Sequence, residues 1–208
     1  MMVKRLEKKK LILNAAMDCF SQMGYDKTTL DEIGGKVNLN KASLYYYYNS
    51  KEDLFSDVIY AEAAQFLEEV KTKLKTIHPL EEKVVFFLLE RRKFYHRLSE
   101  MHFVPVHASN ENDPLLNVVL HSIQLGEKSL LSSTIKDGMR PGEIHRMDPE
   151  RLAEVLLKVS TAFKSPASSQ HALNGNSKLN GNSTTEDVNA EDIRLTTRLI
   201  LRGVRSES

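Results

Sequence analysis

Apolar residues that recur at every third or fourth position are the feature that most constrains the fold of this 208-residue chain. Such spacing places side chains on one face of an α-helix. A first helix is predicted over about 4–23, and its apolar face consists of Ile12, Ala15, Ala16, Cys19, Phe20 and Met23. The pattern predicts further helices over 79–98, 113–137, 149–164 and 187–205. Periodicity alone would also allow a buried strand at Val84–Leu89, but its long helical flanks favour a helix and hence an all-α fold.

Capping signals predict a short second helix directly after the first. Gly24 occupies the position where a helix commonly ends on a left-handed residue. Thr29 and Glu32 have the spacing of a capping box, in which each side chain binds the backbone N–H group of the other residue. The second helix is therefore expected to begin at Leu30 and to end near Val37.

The next segment has the signals of a tight turn and a third helix. Asn38 tolerates the left-handed conformation that such a turn needs. The side-chain oxygen of Asn40 can cap the helix that carries KASLYYYY. Ser50 and Asp53 provide another capping signal, which opens a long fourth helix predicted to extend to about residue 75. Two short helices joined by a turn of about three residues indicate a helix-turn-helix.

The third helix has one face that can pack and other faces that can bind DNA. Leu44 and Tyr48 lie four residues apart and are expected to face the core. The remaining sides carry a cation, a small hydroxyl and phenols, contributed by Lys41, Ser43, Tyr45 and Tyr46. Such groups suit a major groove. Phosphates would be met by Thr29, by the tyrosine hydroxyls and by Lys51, where the fourth helix also presents unpaired backbone N–H groups.

The charge distribution is compatible with a basic, phosphate-binding end. The whole chain has a net charge of +1, but residues 1–52 hold nine Lys and Arg residues against six Asp and Glu residues. The net charge is therefore +3 for residues 1–52 and −2 for the rest of the chain. A modestly basic head on a mildly acidic body fits nucleic-acid binding at one end.

The composition does not indicate secretion or a membrane. The one cysteine, Cys19, cannot form an internal disulfide, so the chain carries no sign of an oxidising compartment. The basic start could be mistaken for a secretion signal, but Asn14 and Asp18 interrupt the apolar stretch that follows it. The longest apolar run, Val84–Leu89, is far too short to span a bilayer. We therefore expect a cytoplasmic protein without membrane contact.

The stretch Thr28–Leu54, TTLDEIGGKVNLNKASLYYYYNSKEDL, closely resembles the DNA-binding region of TetR-type (TetR/AcrR) transcriptional regulators. The shared features are the paired threonines, the D-E-I, the S-L-Y followed by aromatic residues, and the S-K-E-D-L that opens the fourth helix. The resemblance implies DNA contacts at Thr29, Asn40, Lys41, Ala42, Ser43, Tyr45, Tyr46, Tyr47 and Lys51. It also implies an all-helical homodimer with an effector cavity in the C-terminal domain, and a fourth helix that couples the cavity to DNA. A two-fold dimer would bind a near-palindromic double-stranded operator.

Some residues depart from the family pattern or allow a second interpretation. Gly34 and Gly35 lie inside the second helix, where each glycine costs about 0.5–1 kcal/mol relative to alanine, so a loose helix is expected. Asn38 stands where the family usually has glycine. The tyrosines could also serve helix packing, and we favour packing for Tyr48 and phosphate contact for Tyr46.

The predicted architecture is a three-helix helix-turn-helix domain over 1–50, followed by a larger helical ligand-binding and dimerisation domain over 51–208. Within the latter, 165–190 is rich in Ser, Asn and Gly and contains LNGNS twice, so a flexible loop is expected. Apolar stripes on the last two helices predict a two-fold, four-helix dimer interface. Leu156 and Ile200 are candidate interface positions, although either could instead serve the core.

Arg91 lies in the middle of an apolar face of the fifth helix, and a buried guanidinium needs a partner. The partner could be an anionic effector or a buried Asp or Glu, or the side chain could reach solvent at the domain edge. The candidate effector-binding residues are Phe87, Arg91, Phe94, Tyr95, Phe103 and Phe163. Aromatic residues at helical spacing are, however, more often plain core.

Other chemistries have little support in the sequence. His102 and His107 are five residues apart, but no cysteine or carboxylate set completes a metal site, and no cofactor is expected. The sequence has no G-x-S-x-G, P-loop, H-E-x-x-H or G-x-G-x-x-G. We therefore expect a sequence-specific DNA-binding regulator, a ligand-released repressor and not an enzyme. The alternatives are a helical dimerisation scaffold and a small helical enzyme.

Overall fold

A computed structural model describes residues 2–100, 114–140, 143–145, 147–162 and 185–204 of the chain. Every regular element in these residues is a helix, which confirms the all-α prediction. The helices are α1 (Met2–Lys27), α2 (Leu30–Lys36), α3 (Lys41–Tyr45), α4 (Lys51–Leu74), α5 (Leu80–Glu100), α6 (Pro114–Met139), α7 (Pro149–Ala162) and α8 (Thr185–Gly203). No helix in the described part of the chain combines the length and hydropathy that crossing a bilayer requires.

Two helix boundaries differ from the sequence prediction. Helix α1 continues past residue 23, but Gly24 interrupts it with a left-handed φ of 78°, so the predicted helix end is present as a kink. Helix α3 ends at Tyr45, whereas a helix through residue 48 was expected. The chain must leave α3 early because Ser50 caps α4, its Oγ accepting a hydrogen bond of 3.0 Å from the backbone N–H of Asp53.

The contacts divide the described residues into two compact units. The first unit comprises the described residues of Met1–Phe66 and Phe94–Gln124, and the second those of Leu67–Lys93 and Leu125–Ser208. The division into a helix-turn-helix domain over 1–50 and a ligand-binding and dimerisation domain over 51–208 stays a prediction.

The core of the first unit follows the predicted face of α1. Ile12, Ala16, Cys19 and Phe20 are fully buried, as are Ile33 of α2 and Leu54 of α4. The ring of Phe20 packs edge-on against that of Phe55, with the ring centroids 4.9 Å apart. Burial of these apolar surfaces holds the helix-turn-helix against α1 and α4, at roughly 25 cal/mol for each Å² removed from water.

A second cluster of the first unit joins α4 to the end of α5. The rings of Phe66 and Phe94 are stacked, with centroids 4.7 Å apart and planes 10° from parallel. On α6, Val119 and Ile123 are also buried. The hydroxyl of Tyr60 donates a hydrogen bond of 3.2 Å to Oγ of Ser122, so α4 and α6 are also joined within this unit.

The second unit is a helical core built from α5, α6, α7 and α8. Its fully buried apolar side chains include Leu80, Val84, Phe87, Leu131, Ile135, Leu156 and Ile193. The backbone N–H of His145 donates to the carbonyl oxygen of Val204 at 2.7 Å, which ties the segment before α7 to the end of α8.

The predicted loop over 165–190 is corrected at its C-terminal end. Residues 163–184 lie outside the described part of the chain, but α8 already begins at Thr185. The segment TEDVNA, which opens α8, carries two acidic residues, Glu186 and Asp187, directly after Thr185. Acidic residues are favourable in the first turn of a helix.

Candidate nucleic-acid interface

The predicted capping box fixes the start of α2. Oγ1 of Thr29 accepts the backbone N–H of Glu32 at 3.2 Å, and Oε2 of Glu32 accepts the backbone N–H of Thr29 at 2.7 Å. The hydroxyl of Thr29 also donates to the same carboxylate. These hydrogen bonds from Thr29, the backbone one foremost, lower the pKa of Glu32. The side chain of Thr29 is thus held in place at the exposed start of the helix-turn-helix.

Helix α2 contains two glycines, and the turn that follows it requires only Gly34. The backbone N–H of Leu39 donates to the carbonyl oxygen of Gly34 at 2.9 Å, and a Cβ at position 34 would collide with the carbonyl oxygen of Leu39. A Cβ at Gly35 would meet nothing within 4 Å. Asn38 has the expected left-handed conformation, with a φ of 53°. Gly34 therefore permits the close approach of the turn, whereas the expectation that the two glycines loosen α2 stays a prediction.

The predicted packing face of α3 is confirmed. Oδ1 of Asn40 accepts the backbone N–H of Ser43 at 2.8 Å, which is the expected N-cap. Leu44 and Tyr48 are buried. Burial of the Tyr48 hydroxyl, followed by the charge of Asp57 and a hydrogen bond to it, raises the pKa of this phenol. Tyr48 is therefore a neutral packing residue.

The other sides of α3 are open to solvent. Tyr46 is 66% exposed and Tyr45 is 47% exposed. Lys41 and Ala42 are also exposed, whereas Ser43 and Tyr47 are half-buried. Nζ of Lys41 lies 4.0 Å from Oδ2 of Asp31, and both side chains are more than half exposed, so this pair is weak. The structure thus places four of the nine predicted DNA contacts on α3, and two more, Asn40 and Tyr46, at its caps.

Lys51 has an internal role that the sequence did not reveal. Its Nζ donates to the backbone carbonyl oxygens of Tyr25 and Thr28, at 2.7 and 2.9 Å, and lies 4.2 Å from the ring centroid of Tyr25. The hydroxyl of Tyr25 donates to Oε1 of Glu52 at 2.8 Å. The ammonium group of Lys51 was expected to bind phosphate, but two of its three N–H groups form hydrogen bonds that join α4 to the end of α1.

Basic residues at the start of α1 also reach the helix-turn-helix. Nζ of Lys8 donates to the carbonyl oxygen of Val37 at 2.9 Å. Nζ of Lys9 lies 3.0 Å from Oδ2 of Asp57 and 4.7 Å from the ring centroid of Tyr48. Contacts over 29 and 48 positions leave no local pattern in the sequence, so these residues were recognisable there only by their charge.

Arg91 of the second unit has an internal counter-ion. Its Nε donates to Oε2 of Glu127 at 3.0 Å, and its Nη1 donates to Oγ of Ser160 at 3.2 Å and Oγ1 of Thr161 at 3.4 Å. Glu127 is fully buried and Arg91 is only 9% exposed. Of the alternatives for this arginine, the structure contains the buried ion pair, which ties α5, α6 and α7 together.

The remaining effector candidates are not gathered in one place. Phe87 is buried in the second unit, whereas Phe94 is buried and Tyr95 half-buried in the first unit. Phe103 and Phe163 lie outside the described residues, as do His102 and His107. Within the described ranges, no group of three or more His, Cys, Asp or Glu residues could hold a metal ion.

A small crevice lies between α5, α7 and α8 of the second unit. It is lined by Leu88, Leu156, Val159, Ser160, Ile193, Thr196, Thr197 and Ile200. Its empty volume of about 180 Å³ includes open solvent. Sites for drug-sized ligands are roughly 300–1,000 Å³, so the crevice as it stands is too small for such an effector.

Comparison with known proteins places the helix-turn-helix in a family. Residues 12–58 match the family model for bacterial regulatory proteins of the tetR family. The biofilm operon icaADBC negative transcriptional regulator IcaR of Staphylococcus epidermidis is 51% identical over 47 residues, which cover 23% of this chain and 25% of IcaR. The crystal structure of a transcriptional regulator from Cytophaga hutchinsonii has a TM-score of 0.76 at 23% identity, over 95% of this chain and 98% of that one. This last likeness concerns the fold.

One relative matches over most of both chains. The HTH-type transcriptional regulator YhgD of Bacillus subtilis is 32% identical over 173 residues, which cover 80% of this chain and 87% of YhgD. This match extends far beyond the helix-turn-helix, and the family model covers the helices that build it. The chain therefore belongs to the TetR family and is a DNA-binding transcriptional regulator.

Proposed function

We propose that this regulator is a homodimeric repressor that reads a near-palindromic operator through α3 and is released by a small-molecule effector. The observation that carries the DNA-reading part is the contrast between buried and exposed side chains in α3 and in the residues that follow it directly. Leu44 and Tyr48 are buried, whereas Lys41, Tyr45 and Tyr46 are exposed. A rigidly packed helix that presents a cation and phenols fits the major groove. IcaR, described as a negative regulator, supports repression.

In this proposal Lys41 reads a base and the other residues position the helix. Lys41 is held only by a long, solvent-exposed ion pair to Asp31, so little is lost when it turns to a guanine. Thr29, the tyrosine hydroxyls and the third N–H of Lys51 would contact phosphates. Asn40, Ala42 and Ser43 complete the first turn of the reading helix.

Selection of bound sequences from random DNA tests this assignment. Lys41→Ala should change the preferred bases at one position of each half-site, at a cost of about 1–3 kcal/mol on the wild-type operator. Lys51→Ala is the contrasting variant and should weaken binding to all sequences alike. If Lys41→Ala also lowers every affinity equally, Lys41 does not read a base.

The proposed dimer interface uses exposed apolar residues on the last two helices. Leu195 and Leu199 of α8 are 58% and 62% exposed, and Val155 of α7 is also exposed. The candidate interface position Leu156 is instead fully buried within the chain, and Ile200 is half-buried beside the crevice. Helical periodicity identifies residues that share a face, but it cannot tell an internal face from an intermolecular one.

Sedimentation of charged variants tests the interface. Leu199→Glu should dissociate the dimer at micromolar concentration, because it would bury an unpaired carboxylate. Leu125→Glu is a matched control, since Leu125 of α6 is 55% exposed but lies outside the last two helices. Dissociation of both variants, or of neither, would contradict the proposed interface.

The proposal does not require the effector to be an anion. Because Glu127 already neutralises Arg91, a buried guanidinium gives no reason to expect a carboxylate, phosphate or sulfate on the effector. We assign Arg91 a structural role in the second unit. An effector would release DNA only to the extent that it binds the two conformations of the dimer with different affinities.

A further inference from the structure

We propose that the start of α1 is a second DNA-binding element, in which Lys4 and Arg5 bind backbone phosphates that flank the bases read by α3. This inference rests on the reading surface proposed above. It extends that surface beyond the helix-turn-helix to a segment that precedes the matched residues 12–58.

The position of Arg5 is the first argument. Its guanidinium carbon lies 5.3 Å from the ring centroid of Tyr46, the exposed tyrosine at the C-cap of α3. Arg5 is itself exposed. The ring attracts the guanidinium through a cation–π interaction, and the planar fork of N–H donors matches the geometry of a phosphate. Arg5 thus presents a pre-positioned cation beside the helix that faces DNA.

The fixed direction of α1 is the second argument. Lys8 binds the carbonyl oxygen of Val37 in the turn before α3, and Lys9 binds Asp57 of α4. These contacts fasten one turn of α1 to the helix-turn-helix. Lys4 precedes Lys8 by four residues and therefore shares its side of the helix. The turn that carries Lys4 and Arg5 is thus an extension of an anchored helix along the same surface.

The charge of the first turn is the third argument. A helix N-terminus carries partial positive charge and favours acidic side chains. Helices α2, α4 and α5 have two acidic residues in the first turn, whereas α1, like α3 and α6, has none. In α1 this turn carries Lys4 and Arg5, so a phosphate bound there would be stabilised by both side chains and by the helix dipole.

The test measures how operator affinity depends on salt for variants of α1. Each phosphate contact contributes about 0.9 to the slope of log affinity against log salt concentration. Arg5→Gln removes about two phosphate contacts from a dimer. When the salt concentration rises from 50 to 200 mM, the loss of operator affinity should therefore be about tenfold smaller for this variant than for the wild type. Lys4→Gln should have a similar effect. Melting temperatures measured beside the titrations should match the wild type, because both residues are exposed.

Lys10→Gln is the matched control. It removes the same charge from an exposed position of the same helix, but about 100° of rotation per residue places Lys10 on the side opposite Lys4 and Arg5. Its salt slope should equal that of the wild type. Equal flattening by Lys10→Gln would show only a general electrostatic effect, and an unchanged slope in Arg5→Gln would also overturn the proposal.

A second measurement locates the contact on the DNA. Shortening the operator duplex at both ends should weaken binding of the wild type but not of the Lys4→Gln, Arg5→Gln double variant. Equal weakening of both proteins would contradict contacts to flanking phosphates. A wild-type protein without any preferred sequence would instead overturn the proposed reading surface, so the two failures can be told apart.

Discussion

The helix-turn-helix and the second unit differ in the range over which their stabilising interactions act. In the helix-turn-helix, Thr29 and Glu32 bind each other across three positions, and Asn40 binds Ser43 across three more. In the second unit, Arg91 binds Glu127 across 36 positions and Arg198 binds Glu81 across 117. Local interactions leave a pattern in the sequence, and distant ones do not. The caps of the helix-turn-helix are therefore readable from sequence, whereas the ion pairs of the second unit are not.

Among the substitutions that test this contrast, the largest loss of stability is expected at the buried ion pair of Arg91 and Glu127. Arg91→Met should destabilise the protein by about 3–5 kcal/mol, because the carboxylate of Glu127 would stay buried without its counter-ion. Urea unfolding of the purified variant measures this loss.

A double variant separates the ion pair from simple packing. Arg91→Met combined with Glu127→Leu should recover most of the lost stability, since apolar residues can replace a buried pair at little cost. If Arg91→Met is as stable as the wild type, the pair is not a structural element and an effector role for Arg91 regains its basis.

Smaller effects on stability, with opposite signs, are expected at the adjacent glycines Gly34 and Gly35 of α2. Gly34→Ala should destabilise the protein by about 1–3 kcal/mol, because its Cβ would collide with the backbone of Leu39. Gly35→Ala should stabilise it by about 0.5–1 kcal/mol, since the site is open and helical. Thermal unfolding of the two variants checks the signs. Equal effects of the two substitutions would show that the turn does not approach α2 as closely as described.

The smallest effect is expected at the capping box. Thr29→Ala should cost about 1 kcal/mol at neutral pH, and Thr29→Ser should retain most of the stability. Because the pKa of Glu32 is lowered in the folded state, its contribution is present above the ordinary glutamate pKa of about 4.3. It is lost as the pH falls through the lowered folded-state value. The gap between wild type and Thr29→Ala should therefore narrow in acid, and a gap that widens would exclude the capping box as its source.

The sequence was sufficient for elements that depend on neighbours in the chain. The eight helices of the described ranges, the left-handed Asn38 and the burial of Leu44 all follow from spacing and capping rules. The internal bonds of Lys51 and the requirement for Gly34 arise where separate segments meet. Local sequence patterns do not reveal contacts between distant segments. For this reason the sequence predicted only a phosphate ligand at Lys51 and only a loose helix at Gly34.

The central claim is that a two-fold dimer reads DNA with two copies of α3. Selection of bound sequences with the wild-type protein tests it most directly. The account predicts two inverted copies of one short half-site, with centres separated by about one turn of DNA, roughly 34–36 Å, or slightly more. A single asymmetric motif bound by one protomer, or no sequence preference at all, would contradict it.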